Sequence, residues 1–208
     1  SSPSSMEAGK ACDCIGNFPG NSCEQADAEQ AYIQADLKGD ETWVAVPEEA
    51  WAKLAAATKT KNYESAWANR RPMIRLRKAL YGHPDAGTYW EKHCHAGLLR
   101  CGWRPIDASS WPSCYIHDTL QLFLSVYVDD FKMAGPKGNL AQAWADIRDP
   151  DKGGLLIENP SVSNHYLGCH HEHSEFTLPN GVTARATSYN MESSLAKLVE
   201  DYEQLCGA

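Results

Sequence analysis

The 208 residues, 43% of them hydrophobic, suffice for one soluble domain with a buried core and room for a small appendage. No apolar run approaches the roughly 18 residues of a membrane span, and Ser1-Ser2-Pro3-Ser4-Ser5 lacks the charged start and apolar middle of a signal peptide. The formal charge of −8 excludes a uniformly basic nucleic-acid binder, yet residues 51–105 hold 11 Lys or Arg against 3 Asp or Glu, and the remainder 8 against 24.

Taken in order, Met6 to Ile15 reads as a helix capped by Ser4-Ser5 and stopped by Gly16 and Pro19-Gly20. Ser22 to Ala28 reads as a buried strand carrying Asp27, followed by a helical turn through Gln30-Ala31-Tyr32-Ile33. Thr42 to Pro47 alternates as a strand, Glu48 to Ala57 is helical, and Thr58 to Arg71 is polar and reads as a surface loop. Met73-Ile74-Arg75-Leu76-Arg77 alternates apolar and basic residues, which predicts a half-buried strand with its cations on one face. Pro84 opens a helix that runs to about Leu99, with Trp90, Cys94, Gly97 and Leu98 along one side. Cys114 to His117 and Leu120 to Phe123 are strands joined by Asp118-Thr119. Leu140 to Arg148 is a helix with Trp144 inward, His165 to His173 is a strand, and Tyr189 to Leu205 is a closing amphipathic helix. Hairpins rather than regular crossovers predict an α+β fold, an antiparallel sheet backed by helices.

Eight cysteines without an export signal, most set singly in apolar or helical patterns, are expected to be reduced thiols in a reducing, intracellular compartment. Cys12 and Cys14 stand too close for a usual structural zinc pair. His165, Cys169, His170, His171 and His173 cluster in one stretch, and Cys169, His171 and His173 would share one face of a strand, a spacing that could suit zinc, although no second ligand pair accompanies them and a polar strand with partly exposed imidazoles is the plain alternative.

The most informative stretch is Phe123-Leu124-Ser125-Val126-Tyr127-Val128-Asp129-Asp130-Phe131-Lys132-Met133-Ala134-Gly135. Two apolar strands, buried on both faces, meet at adjacent aspartates, and only a backbone turn lets neighbouring strand residues converge. Asp is a favoured turn residue, so a polar loop tip is the plain alternative. Two carboxylates about 4 Å apart repel by about 4 kcal/mol at an effective dielectric near 20, and a hard divalent cation is the simplest way to offset that.

These residues resemble the catalytic motif of reverse transcriptases, and the likeness extends along the chain. Asp27-Ala28-Glu29-Gln30-Ala31-Tyr32-Ile33-Gln34-Ala35-Asp36-Leu37 resembles the first catalytic block of copia-type LTR retrotransposons, and Trp43 to Pro47 the strand that follows it. Leu76-Arg77-Lys78-Ala79-Leu80-Tyr81-Gly82 resembles the family's Leu-Tyr-Gly block, and Tyr166-Leu167-Gly168 its primer-contacting segment. The resemblance implies a polymerase palm over residues 1–160, and a primer-grip strand with the start of a thumb or connection over 161–208. It implies RNA-directed DNA polymerisation from deoxynucleoside triphosphates on an RNA template and DNA primer. Asp27, Asp129 and Asp130, with the carbonyl of Ala28, would hold two Mg²⁺ ions, Mn²⁺ being an alternative. Tyr32, Tyr81 and Gly82 would bind the nucleotide, while Arg75, Arg77, Leu167 and Gly168 would contact nucleic acid. The family's polyprotein places the chain with fingers strands upstream of residue 1 and with RNase H and integrase regions, in a cytoplasmic particle or the nucleus.

One block departs from the family. Where the copia pattern continues Leu-Lys-Gln-Ala-Pro-Arg, this chain has His83-Pro84-Asp85-Ala86-Gly87-Thr88, which loses two cations and gains an acid. An inactive retrotransposon relic that binds nucleic acid or protein is the alternative reading, and a metal-dependent phosphodiesterase built on the same acids a third.

Overall fold

The computed structural model describes residues 2–58 and 73–207. The chain divides into two compact units, residues 1–31 with 91–208, and residues 32–90. The polar stretch read as a surface loop lies, apart from Thr58, outside the described residues.

The larger unit is built on a six-stranded antiparallel sheet. Its strands are β1 (Asn21–Asp27), β4 (Arg104–Asp107), β5 (Trp111–His117), β6 (Leu122–Tyr127), β7 (Asp130–Pro136) and β8 (Ser161–Val162), in the order β4-β5-β6-β7-β1-β8. The apolar run on either side of the aspartates does form the two central strands: Phe123 to Val126 and Phe131 to Gly135 are all buried. Strand alternation assigns their faces. Leu124, Val126, Phe131 and Met133 point to one side, and Phe123, Ser125, Asp130, Lys132 and Ala134 to the other.

Helix α1 (Met6–Gly16) covers the second side. Ser5 caps it by accepting a hydrogen bond from the Ala8 amide, as its position before an apolar run predicts. Ala8 and Cys12 pack with Cys23, Cys114, Phe123 and Ala134 into one apolar cluster. Gly16 is demanded by this packing, because a Cβ there would stand 2.7 Å from the Cβ of Cys23. Helix α5 (Lys137–Arg148) packs on β7 and β1, with Leu140, Ala143, Trp144 and Ile147 buried and the Trp144 indole donating to Glu24.

A second antiparallel sheet, β11-β10-β9, joins β9 (His165–Tyr166), β10 (Cys169–Thr177) and β11 (Thr183–Asn190). This corrects two expectations. The segment His165 to His173 is not one strand but a tight hairpin broken at Leu167-Gly168, both of which take positive φ. Tyr189 and Asn190 end β11, and the closing helix α6 starts only at Glu192, running to Cys206. Strands β4, β8 and β11 have no counterpart in the sequence reading. Helix α6 is amphipathic, but none of its residues is buried: Leu195, Leu198, Val199, Tyr202 and Leu205 are all exposed.

What fastens the second sheet to α1 and β7 is a buried ion pair. The Lys132 ammonium, fully buried, lies 2.7 Å from the Asp13 carboxylate. Asp13 also accepts from the Tyr189 hydroxyl at 2.9 Å and has the His171 ring 3.6 Å away. The ammonium sits 4.6 Å from the centre of the Tyr166 ring, a cation–π contact in a desolvated place. Burial and the Lys132 charge push the His171 imidazole below its ordinary range, against the pull of Asp13.

In the smaller unit, β2 (Trp43–Ala45) pairs with β3 (Met73–Arg75), and helices α2 (Ala31–Gln34), α3 (Glu48–Thr58) and α4 (Ala86–Arg100) lie wholly or partly within it. Ala35, Ala79 and Ala86 form its small core with Tyr32 and Tyr89. Strand β3 is shorter than expected and exposed throughout rather than half-buried. On α4, Trp90, Cys94, Gly97 and Leu98 are buried as their spacing predicts. All eight cysteines are free thiols. No helix among the described residues is long and apolar enough to cross a membrane.

Removing one partner of a buried ion pair strands the other charge, which costs about 3–5 kcal/mol. Lys132→Met is therefore expected to lower the unfolding free energy by about that amount, and Asp13→Asn with Lys132→Met by less than Lys132→Met alone. Urea denaturation followed by tryptophan fluorescence measures both.

Candidate functional site

The aspartate hairpin forms with Val128 and Asp129 as its two central residues and Tyr127 opposite Asp130 as its closing pair. Asp129 therefore occupies the turn and Asp130 opens β7. Val128 has φ 57°, and it alone of the two central residues is positive, which is the sign pattern of a type II′ turn. A β-branched residue in the left-handed region is strained by about 1–3 kcal/mol. The buried strands on either side hold it there.

Strand β1 brings the third carboxylate. Its register with β7 sets Asp27 directly opposite Asp130, and the Ala28 amide donates to the Asp129 carbonyl at 2.8 Å. On the other edge of β1 the Asp27 carbonyl accepts from the Glu158 amide, and Ala28 forms an isolated bridge with Ile157. Asp27, Ala28, Asp129 and Asp130 are thus brought together by one pair of strands and one turn. Asp27 is exposed, while Asp129 and Asp130 are half-buried.

The electrostatics carry the mark of this crowding. Burial first, then the charges of Asp27 and Asp129 and a hydrogen bond shared with Asp27, push the Asp130 carboxyl up to about 6. Lys132 lies on the same face of β7, two residues on, yet its ammonium is engaged by Asp13. As the side chains stand, no group of three or more His, Cys, Asp and Glu among the described residues is arranged to hold a metal ion. The donor set itself, three carboxylates at a half-buried turn with their repulsion not offset, suits a hard, oxygen-seeking divalent cation.

The remaining predicted residues fall in two places. Leu167 and Gly168 form the two-residue turn between β9 and β10, immediately after Tyr166, which packs under the Lys132 ammonium. Tyr32, Tyr81, Gly82, Arg75 and Arg77 belong to the smaller unit. There Tyr32 and Tyr81 lie with ring centres 4.5 Å apart, and Gly82 takes φ 90°, a conformation that favours glycine. Arg75 pairs with Glu41 at 2.5 Å. Cys169, His171 and His173 do share a face of β10, but the His173 ring is held by Thr187 and the Ser163 carbonyl, and His171 lies against Asp13.

The sequence reading passed over Lys132 and Asp13. A signal was present: a single cation between Phe131 and Met133 in a strand buried on both faces requires a buried counter-charge. Comparison with known protein families, characterised proteins and solved structures finds no match.

Between its ordinary 3.8 and about 6, folded Asp130 retains a proton that the unfolded chain has released, so its contribution to stability is lost as pH rises through that window. Solvent screens part of this repulsion at a half-exposed carboxyl, so Asp130→Asn should raise the unfolding free energy at neutral pH by about 1–2 kcal/mol and bring little gain near pH 4. Denaturant titrations at the two pH values check the sign.

Proposed function

We propose that this chain carries the palm of a copia-type reverse transcriptase, performing RNA-directed DNA synthesis by two-metal nucleotidyl transfer. The observation that carries the reading is the register of β1 against β7, which sets Asp27 opposite Asp130 with Asp129 at the adjoining turn. Three carboxylates from two distant segments are brought together there, and the nearby Lys132 is engaged by Asp13. The resemblance of those same segments to the family's catalytic blocks supplies the chemistry.

In this reading Asp27, Asp129 and Asp130 would hold two Mg²⁺ ions, or Mn²⁺, with the Ala28 carbonyl as a further oxygen ligand. When bound, such a pair activates an attacking hydroxyl and offsets the charge of a leaving pyrophosphate. The chain's own part is to hold the acids. The β6–β7 turn fixes Asp129, the paired strands fix Asp27 and Asp130, and the Asp130 carboxyl, raised to about 6, is mostly ionised at neutral pH and would serve as a ligand there. Leu167 and Gly168 would support a DNA primer on an RNA template, Arg75 and Arg77 a nucleic-acid phosphate backbone. Tyr32, Tyr81 and Gly82 would contact the incoming deoxynucleotide.

A second reading, an inactive relic that binds nucleic acid or protein, draws on one observation: His83-Pro84-Asp85 stands where the family carries cations.

Primer extension on an RNA template separates the two. Mg²⁺-dependent incorporation of deoxynucleotides is expected, reduced by about 10³-fold or more in Asp129→Asn, as for loss of a group that stabilises transition-state charge. Incorporation unchanged by that substitution, or nucleic-acid binding with no incorporation by the wild type, would overturn the polymerase reading.

A further inference from the structure

Two imidazoles, those of His165 and His170, stand together on the small sheet, on the opposite face of β10 from Cys169, His171 and His173. The hairpin between β9 and β10 turns through Leu167 and Gly168, with φ 49° and 77°, the pair of positive values that a two-residue type I′ turn needs. That turn fixes the register as Cys169 opposite Tyr166 and His170 opposite His165. The next pair out is joined by a hydrogen bond from the His171 amide to the Asn164 carbonyl at 2.8 Å.

Hydrogen-bonded and non-hydrogen-bonded pairs alternate along an antiparallel ladder, so His165 and His170 occupy a non-hydrogen-bonded pair. At such pairs the Cα atoms approach to about 4.5 Å and the side chains stand closest. The two imidazoles are neighbours across the strands, ring centres 4.7 Å apart and planes tilted by 57°. Both residues are exposed. Glu172 and Glu192 line the same open cleft, and the Asn190 amide donates to Glu172 at 2.9 Å, holding that carboxylate beside His170.

We propose that His165 and His170 form a two-nitrogen chelate for a borderline divalent transition metal such as Zn²⁺, Ni²⁺ or Cu²⁺. Imidazole nitrogens suit these ions, at about 2.0–2.1 Å for zinc, whereas Mg²⁺ prefers an all-oxygen shell. Two rings at this separation need only side-chain rotation for one nitrogen of each to meet a common ion, and water fills the remaining positions. The chelate needs no third side chain, and it is chemically distinct from the carboxylate cluster at the β6–β7 turn. Its mechanical effect is local: an ion bridging β9 and β10 ties the two strands together directly behind the Leu167-Gly168 turn.

Titration calorimetry of the untagged chain with Ni²⁺ tests this, with His165→Asn and His170→Asn as comparisons. One ion per chain is expected, bound about tenfold or more weakly by each variant, and with a metal-dependent rise in melting temperature that both variants lose. Mg²⁺ should not compete. Binding that persists unchanged in both variants, which would put the metal on exposed thiols such as Cys14 or Cys206 or on the Asp27, Asp129 and Asp130 carboxylates, overturns the proposal, as does no binding by the wild type. A Cu²⁺ electron paramagnetic resonance spectrum of the wild-type chain gives a reading that does not depend on the variants folding. Coupling to two nitrogens is expected, and coupling to one or none overturns the chelate.

Discussion

The pairing of Lys132 with Asp13 is the constraint around which the larger unit is arranged. Both groups are buried, so each is tolerable only because the other is 2.7 Å away. To make that contact, α1 must lie on one particular face of β7, which also places Ala8 and Cys12 against Cys23, Phe123 and Ala134. Tyr189 and His171 complete the Asp13 surroundings and Tyr166 those of Lys132, so the three-stranded sheet is drawn to the same point. An apolar substitute at both positions could pack as tightly, but it would not distinguish this placement of the second sheet from a neighbouring one.

The same pair bears on the carboxylates. A lysine two residues from Asp130, on the same face of the strand, would ordinarily be the natural counter-ion for a crowded acidic turn. Asp13 holds it elsewhere, and the repulsion among Asp27, Asp129 and Asp130 persists as the upward shift of the Asp130 carboxyl. The fold thus keeps one charge cluster satisfied and leaves another frustrated a short way along the same strand. Frustration of that kind lowers stability locally and raises the affinity of the site for anything positive that fits.

Much of this was legible in the residues. The run from Phe123 to Gly135 announced paired central strands and a turn at the aspartates, because apolar residues on both faces and a sudden break in hydrophobicity have few other solutions. The α1 cap at Ser5 and the buried stripe of α4 followed equally from local pattern. What could not be read locally was set by distant partners. Strand β11, with sequence Thr-Ala-Arg-Ala-Thr-Ser-Tyr-Asn, has no strong alternation and owes its structure to pairing with β10. The break at Leu167-Gly168 was hidden because a leucine in the left-handed region is not a usual turn signal. Asp27 came to the site through resemblance rather than periodicity, since seven ordinary strand residues give no hint of which strand they will pair with. The Arg185 guanidinium, which donates to the carbonyls of Asn17, Phe18 and Asn21 across more than a hundred residues of sequence, was equally invisible.

The alternation of β1 has one more consequence. Cys23, Gln25 and Asp27 face α1 while Ser22, Glu24 and Ala26 face away, and every one of them is matched to a residue of β7. Exchanging a side chain in this strand alters one contact. Adding or deleting a single residue between Asn21 and Asp27 would invert the faces of everything beyond it, turning Asp27 away from Asp130 or breaking the ladder. The strand can therefore drift in composition but not in length, and chains descended from a common ancestor of this one should differ here by replacement and never by gap.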